Sequence, residues 1–350
     1  MKCFLHIGTE KTGTTALQNF CDSNRDVLLT NGIYYTESAG KTNNIGLALS
    51  AYNAKRRDEY TIKHGVRSDR ELLDLQRVIL ANLREEIEEK AKSSADLRIV
   101  FSSEHLQSRL TTIDELKGLR ANIYSLAVSE ITVIVYLRNP ADLANSLYST
   151  AVKSGSCLEA PPPPDHPYFN NVCNHRNTLE KFTTVFGESL VIPRIFEKGE
   201  LRNGSIIDDF LEIVGGFGSA DYRPFGTANE SLSALGISIL RRVNKKIPNV
   251  TESGVNPIRA NLVTFFEKHF SNSSYVMPDG LYELYDKAFQ DSNEWVRETY
   301  FPHKETLFDP QRRHKPDKAE LTSDELANIA DFIADVWTNK QQRIIQLSEK

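Results

Sequence analysis

The sequence predicts an α/β fold in which helices flank a mostly parallel sheet, followed by a helical C-terminal region. Two patterns support this prediction. Short β-branched runs alternate with segments of helical periodicity through about residue 200, as in parallel sheets whose strands are connected by helices. Beyond about residue 225 the strand patterns fade and helical patterns dominate. We therefore expect an α/β core over residues 1–225 and a helical region over residues 226–350 that completes the ligand site.

The predicted strands are short runs of apolar, mostly β-branched residues. Residues 2–8 form the first, and residues 97–101 and 131–137 form two more, each followed by polar residues and then a helical pattern. A further strand is predicted at residues 189–192. Sheets of this class bind ligands outside the carboxyl ends of their strands, so the polar residues that follow each strand are candidate site residues.

Helical periodicity marks segments on both sides of these strands. One helix is predicted from Thr14 to the turn at Asn31-Gly32, and residues 70–92 carry apolar side chains at steps of three and four. Residues 154–167 contain four consecutive prolines and are predicted to be a loop. The helices predicted for the C-terminal region span residues 231–247, 256–270, 281–298 and 322–347.

The composition is that of a globular protein that binds no nucleic-acid polymer. The chain of 350 residues is 40% hydrophobic and 25% charged, and its 42 Lys plus Arg against 47 Asp plus Glu give a net charge of −5. No long basic block stands out, which argues against a dedicated nucleic-acid-binding surface. Four cysteines without a CxxC pair are too few for a disulfide scaffold or a recognisable zinc site.

The sequence also carries no signal for a membrane or for export. It contains no run of about eighteen apolar residues, so no membrane-spanning helix is predicted. The apolar N-terminal run reaches Gly8 before it attains the length of a signal-peptide core. We expect a soluble, cytoplasmic protein, whose oligomeric state the sequence leaves open.

A glycine loop follows the first predicted strand. Residues Gly8–Thr15 have the glycine spacing of a P-loop, in which backbone N–H groups and a helix N-terminus converge on a phosphate. Thr14, however, occupies the position of the lysine in a nucleoside-triphosphatase, while Lys11 lies inside the loop. The strand over residues 131–137 ends in Arg138, where a triphosphatase needs a carboxylate to hold Mg²⁺. The sequence therefore predicts a phosphate site that differs from that of a triphosphatase.

These two motifs together resemble the sulfotransferase family, whose donor is 3′-phosphoadenosine 5′-phosphosulfate (PAPS). The motifs are Lys11-Thr12-Gly13-Thr14-Thr15 after a first strand and Tyr136-Leu137-Arg138-Asn139-Pro140 with Ser146 further along. The resemblance is to the bacterial and carbohydrate-directed members. It implies metal-independent transfer of a sulfuryl group to a hydroxyl or amino group of a saccharide or glycoconjugate, with adenosine 3′,5′-bisphosphate (PAP) as the second product.

The resemblance also implies which residues contact the donor. The loop residues 11–15 would hold the 5′-phosphosulfate, and Arg138 with Ser146 would hold the 3′-phosphate. The spacing agrees independently, because Pro140 suits the first turn of a helix that places Ser146 about two turns along. An Asn-x-Ser element adds Asn229 and Ser231 as further contacts, although either residue is also suited to cap the helix that follows.

Two proton acceptors compete for the role of catalytic base. Glu104 and His105 directly follow the strand over residues 97–101, and sulfuryl transfer needs a group that takes the proton from the attacking acceptor. We prefer Glu104, because carbohydrate-directed and bacterial sulfotransferases use a glutamate, whereas the cytosolic small-molecule branch uses a histidine. Lys11 is the candidate for stabilising the departing phosphate. Alternatively, Glu104 only caps the next helix and His105 only packs.

Two other functions stay open at this stage. A nucleotide-dependent kinase would use the same loop, and a noncatalytic nucleotide-binding protein would keep the loop without turnover. The acceptor contacts are expected in two segments, residues 41–67 and 154–173, which contain polar, basic and aromatic side chains. The acceptor's identity and the choice between O- and N-sulfation lie beyond the sequence.

Overall fold

The chain forms two compact units whose segments alternate along the sequence. The computed structural model describes residues 1–92, 96–216, 218, 222–223, 231–251, 254–271, 273–309 and 321–348. The first unit comprises Met1–Pro140, Pro164–Ala228 and Ala288–Asp309, and the second comprises Ala141–Pro163, Asn229–Lys287 and Pro310–Lys350. None of the described helices is both long and apolar enough to cross a membrane.

A five-stranded parallel sheet is the centre of the first unit. Its strands are β1 Lys2–His6, β2 Ile33–Tyr35, β3 Arg98–Ser102, β4 Glu130–Leu137 and β5 Val191–Ile195. They lie in the order β2-β3-β1-β4-β5, and every neighbouring pair is parallel. The structure thus confirms the predicted α/β class. It also places β1 between β3 and β4, the two strands that lead to Glu104 and Arg138.

Helices account for most of the remaining described residues. They are α1 Thr14–Ser23, α2 Arg25–Thr30, α3 Ile45–Leu49, α4 Glu59–Lys63, α5 Asp69–Ala91, α6 His105–Ser108, α7 Ile113–Tyr124, α8 Pro140–Lys153, α9 Pro167–Cys173, α10 His175–Phe186, α11 Ile206–Val214, α12 Ala234–Lys246, α13 Leu262–Phe270, α14 Asp279–Tyr300 and α15 Ser323–Ser348. A short antiparallel pair, β6 Val250–Thr251 and β7 Gly254–Val255, lies in the second unit and was not predicted.

Apolar side chains cover both faces of the five-stranded sheet. The alternation of β1 sends Leu5 into one core and Phe4 toward the other, and Val133 and Ile134 of β4 separate in the same way. Helices α3, α5, α7 and α10 supply the first core, while α1, α2 and α11 supply the second. Full burial of one such Leu, Ile or Phe side chain stabilises the fold by roughly 1.5–3 kcal/mol. Because many such side chains pack on each face, the two cores hold the strands of the sheet in fixed positions.

The first helix is shorter than predicted. The sequence indicates one helix from Thr14 to the turn at Asn31-Gly32, but the structure breaks it at Asn24 into α1 and α2. The Asn24 side chain donates to the carbonyl of Phe20 at 3.0 Å and accepts from the backbone N–H of Arg223 at 2.7 Å. An asparagine that bonds nearby backbone in this way favours a helix end over a helix interior.

Other elements also differ from the prediction. Strand β5 begins at Val191 rather than at residue 189, because residues 188–190 form a 3-10 turn after Gly187. Strand β2 has only three residues, too short for its pattern to be recognised. Helix α13 begins at Leu262 rather than at residue 256, because residues 257–261 form turns, in which the N–H of Arg259 donates to the carbonyl of Asn256 at 3.2 Å and Ala260 has φ of 36°.

In the second unit α15 packs on α13 through aromatic rings. The ring of Phe332 lies 4.6 Å from that of Phe266, and Asp335 bonds to His269 at 2.8 Å. Elsewhere in this unit the buried Arg259 donates to the side chain of Asn244 at 2.6 Å and to the carbonyl of Lys153 at 3.1 Å. Burial therefore lowers the pKa of Arg259 from its ordinary value.

A buried acid joins the two strands next to the site. Asp209 of α11 has a fully buried side chain and accepts from the Tyr136 hydroxyl of β4 at 2.9 Å and from Arg194 Nε of β5 at 3.0 Å. The backbone N–H of Arg202 is a third donor, at 3.1 Å. Burial, together with the neighbouring carboxylate, raises the pKa of Tyr136 well above its usual range, so the hydroxyl stays protonated and keeps donating.

Loss of the Asp209 charge is expected to destabilise the fold. Asp209→Asn leaves the Arg194 guanidinium beside a neutral amide, at a cost of about 2 kcal/mol or more in the free energy of unfolding. Urea unfolding followed by circular dichroism measures this loss. The control is Asp26→Asn, which breaks the exposed Asp26–Arg223 pair and is expected to change stability far less. Equal losses in the two variants would contradict a structural role for the buried pair.

Candidate functional site

The candidate site lies where three neighbouring strands end. The loop Gly8–Gly13 follows β1, Glu104 lies two residues beyond β3, and Arg138 directly follows β4. Because β1 pairs in parallel with both β3 and β4, these three strand ends meet at one edge of the sheet. The structure thus brings together the loop, the candidate base and the candidate arginine.

The loop is braced by its own threonines and by β4. The Thr9 backbone N–H and hydroxyl both donate to the carbonyl of Tyr136, at 2.9 Å and 3.1 Å, and the Tyr136 N–H donates to the carbonyl of Gly8 at 2.7 Å. Thr12 is buried and its hydroxyl donates to the carbonyl of Thr9 at 2.6 Å. The Thr12 side chain therefore stabilises the loop, and any contact with a donor would come from its backbone N–H.

The loop turns into α1 at Gly13. This residue has φ of 76°, and a Cβ atom there would lie 3.2 Å from the ring of Phe196 and 3.3 Å from Ile206, so both the conformation and the packing require glycine. No side chain of a described residue caps α1, and its first turn, from Thr14 onward, contains no acidic residue. The first N–H groups of a helix have no partner within the helix and attract an anion. This end of α1 is suited to a phosphate or sulfate group.

Arg138 adds a cation directly to the loop. Its Nη1 donates to the carbonyl of Lys11 at 2.8 Å, and Lys11 has φ of 61°, the left-handed conformation. On its other side, the carbonyl of Arg138 accepts from His175 Nε2 at 2.7 Å. Burial lowers the pKa of His175 from 6.5 to about 4, so the imidazole is neutral at pH 7 and carries its proton on Nε2. Arg138 is thereby fixed between the loop and α10.

Glu104 lies against the loop with one oxygen occupied and the other open. Its Oε2 accepts from Gln18 Nε2 and from Asn43 Nδ2, both at 2.9 Å. Among the described residues no hydrogen bond to Oε1 is formed, and His105 Nε2 is 3.9 Å away. A Cβ atom on Gly8 would lie 3.0 Å from that of Glu104, so the close approach requires glycine. The carboxylate does not cap α6, whose first N–H, that of His105, instead donates to the Ser103 hydroxyl at 3.3 Å.

His105 is paired in another direction. Its Nε2 lies 2.9 Å from the hydroxyl of Tyr60, and the two rings are 4.7 Å apart. Its Nδ1 is buried and has no partner among the described residues. The structure thus gives His105 a tyrosine partner, while the open oxygen belongs to Glu104; the choice between them stays a prediction.

The remaining predicted contacts lie elsewhere along the chain. Helix α8 begins at Pro140 as predicted and carries Ser146, a residue of the second unit. Helix α12 is capped by Ser233, whose hydroxyl accepts from the N–H of Gly236, so Ser231 is not the cap that the sequence suggests. Ser231 is exposed, and Asn229 lies outside the described residues. Their contacts with a donor stay predictions.

The sequence did not identify Gln18 as a site residue, and it placed Asn43 only in a segment expected to contact the acceptor. In the structure the amides of both residues donate to Glu104. A glutamine on the inner face of an amphipathic helix is the signal that could have identified Gln18. Glu10 of the loop lies near Tyr168 of α9. Burial, together with this carboxylate, raises the pKa of Tyr168 far above its usual range, so its hydroxyl stays protonated. The loop thus lies next to the segment that contains α9.

Comparison with known proteins yields one structural likeness. No family model matches the chain, and no curated protein does. A sulfotransferase from Alicyclobacillus acidocaldarius aligns with 65% of this chain and 85% of its own, at 16% identity and a TM-score of 0.37. At this TM-score the likeness does not itself assign a fold or a function.

Because His175 is neutral in the folded state, stability should fall as the pH drops below 6.5. Between pH 6.5 and about 4 the unfolded chain binds a proton that the folded protein excludes, which lowers the free energy of unfolding by about 1.4 kcal/mol per pH unit for one such group. His175→Gln is expected to reduce this slope, as measured by urea unfolding at several pH values. The control is Gln76→Met in α5, which removes no titratable group and should leave the slope unchanged. An unaltered slope in His175→Gln would contradict the assignment.

Proposed function

We propose that the protein is a PAPS-dependent sulfotransferase that acts on a hydroxyl or amino group of a saccharide or glycoconjugate. The observation that carries this proposal is the hydrogen bond from Arg138 to the carbonyl of Lys11. It attaches a cation from the end of β4 to a phosphate loop, where a triphosphatase has a magnesium-binding carboxylate. The open oxygen of Glu104 beside the same loop supplies the second requirement, a base.

The residues present fit the anionic groups of the donor. The N-terminus of α1 and the backbone of the loop offer N–H groups to a 5′-phosphosulfate. The side chains of Lys11, Thr14 and Thr15 belong to the same segment and would contact this group as well. Arg138 would bind the 3′-phosphate by charge-assisted hydrogen bonds. Ser146 would join it there by its hydroxyl. Asn229 and Ser231 would be further contacts, as the family resemblance implies.

The chain's own residues supply proton transfer and charge stabilisation. When bound, PAPS supplies an activated sulfuryl group, whose bond from sulfur to the bridging phosphate oxygen breaks as the bond from the acceptor oxygen or nitrogen to sulfur forms. Oε1 of Glu104 takes the proton that the acceptor loses. Lys11 and the loop N–H groups stabilise the electron pair that remains on the phosphate oxygen. No step in this sequence of events requires a metal ion.

Aromatic side chains support a saccharide as the acceptor. The Tyr60 ring packs at a tilt against His105, next to Glu104, and Tyr168 lies near Glu10 of the loop. Rings with polar tips are frequent in small-molecule sites, where the ring covers apolar surface and the tip fixes orientation. Tyr60 and Tyr168 lie in the two segments where the sequence predicted acceptor contacts.

Calorimetric titration with PAP, set beside adenosine triphosphate plus Mg²⁺, tests the donor site. We expect PAP to bind and the triphosphate to bind far more weakly. Arg138→Ala should weaken PAP binding about tenfold or more, because a charge-assisted hydrogen bond is lost, whereas the exposed Arg77→Ala should bind PAP as the native protein does. Preference for the triphosphate would favour the kinase alternative. Binding of PAP without sulfate transfer to any acceptor would favour a noncatalytic nucleotide-binding protein.

Turnover of Glu104→Gln tests the base. With ³⁵S-labelled PAPS and a panel of glucose, galactose, glucosamine and N-acetylglucosamine, the variant should lose about a hundredfold or more in kcat. Its affinity for PAP should stay unchanged, because the amide has nearly the same shape as the carboxylate. His105→Ala is measured in parallel. A large loss in His105→Ala, together with full turnover in Glu104→Gln, would assign the role to His105.

A further inference from the structure

We infer that Gln18 and Asn43 are positioning residues that hold Glu104 so that its open oxygen faces the acceptor. This inference rests on the proposed function, in which Glu104 is the base. Both amides donate to the same carboxylate oxygen, Oε2, at 2.9 Å. Neither residue belongs to the loop or to the arginine motif, and no other side chain among those described donates to Glu104.

Gln18 connects the helix of the donor site with the base. It is the fifth residue of α1, whose first turn forms the anion site, and its side chain is buried. In addition to its bond to Glu104, Gln18 Nε2 lies 3.4 Å from both the carbonyl oxygen and the hydroxyl oxygen of Ser102, the last residue of β3. One side chain therefore sets the distance between the start of α1 and the carboxylate, so an anion bound there and the base keep a fixed separation.

Asn43 has a hydrogen-bonding pattern that packing alone does not explain. Within the described part of the chain its side chain makes one hydrogen bond, to Glu104, while its Oδ1 is buried and accepts none. An asparagine present only for structure satisfies both ends of its amide. Its neighbour Asn44 does so, because it donates to the carbonyls of Thr36 and Gly40 and accepts from the N–H of Ser102 at 2.8 Å.

Fixing one oxygen defines the role of the other. A glutamate side chain has several rotamers, and ordering it costs conformational entropy. Two donors on Oε2 hold the carboxylate plane and leave Oε1 as the oxygen without a donor in the described structure. A base that is already oriented loses less free energy on reaching the transition state than one that must be ordered first. Removal of either amide should therefore lower kcat, and this loss should occur only when Glu104 is present to act as the base.

A double-mutant cycle tests this inference. Gln18→Met and Asn43→Ala are each made in the native protein and in the Glu104→Gln variant, and sulfate transfer from ³⁵S-labelled PAPS to the four sugars of the panel is measured. Each substitution is expected to lower kcat about tenfold in the native background, as part of the contribution of a general base. In the Glu104→Gln background the same substitutions should cause no further loss. Affinity for PAP should stay unchanged throughout.

Two controls separate positioning from folding. Within the part of the chain that the structure describes, the Gln76 side chain of α5 donates to the carbonyls of Leu49 and Tyr52 and to no group near Glu104, so Gln76→Met should not change kcat. Asn44→Ala should lower the midpoint of urea unfolding, and any loss of rate should be the same in both backgrounds. Equal losses for Gln18→Met in both backgrounds, or a loss explained by a lower unfolding midpoint, would overturn the inference. Full turnover in Glu104→Gln would overturn the base assignment first, and the inference with it.

An acceptor-independent measurement completes the test. If none of the four sugars is sulfated, a crystal structure of the Gln18→Met/Asn43→Ala double variant with PAP decides the question. A Glu104 carboxylate that leaves its position beside Gly8, with PAP bound as in the native protein, supports the inference. A carboxylate that stays in place overturns it, because other contacts would then hold the base.

Discussion

The parallel pairing of β1 with β3 on one side and β4 on the other is the constraint on which the candidate site depends. The pairing brings three carboxyl strand ends to one edge, although their residues are far apart in the sequence. It also presents the carbonyl of Tyr136 to Thr9, which fixes the loop relative to β4. Because the loop leads directly into α1, the position of the loop also sets where α1 begins. Gln18 of α1 then lies within reach of the end of β3. A shift of either neighbour would separate the arginine or the carboxylate from the anion site.

Two acids near this edge show how the protein distinguishes structure from chemistry. Asp209 is fully buried, and donors from Tyr136, Arg194 and the backbone occupy both of its oxygens. Glu104 has both of its side-chain donors on a single oxygen. A saturated carboxylate has no lone pair to offer, whereas a carboxylate with one open oxygen can take a proton. The difference lies in the number and placement of donors and not in the residue type.

The parts of the site that could be predicted are local in sequence. The glycine loop and the residue that follows β4 are each recognisable within a few positions, and the parallel sheet follows from the alternation of strands and helices. The partners of Glu104 are not local, since Gln18 and Asn43 lie 86 and 61 residues away from it. The break at Asn24 depends on a bond to Arg223, across 199 residues. Periodicity and propensity describe neighbours along the chain, so contacts over these separations become visible only in the fold.

The alternation of the two units along the chain has a consequence for synthesis on the ribosome. All five strands of the sheet are complete once β5 has emerged, yet Val296, Leu307 and Phe308 belong to the apolar core on one of its faces. That face therefore remains partly uncovered while more than a hundred further residues are translated, including the Asn229–Lys287 segment of the second unit. Exposed apolar surface on a partly made chain promotes aggregation, so the nascent protein is a natural client for a chaperone that shields the sheet until the last segment of the first unit arrives.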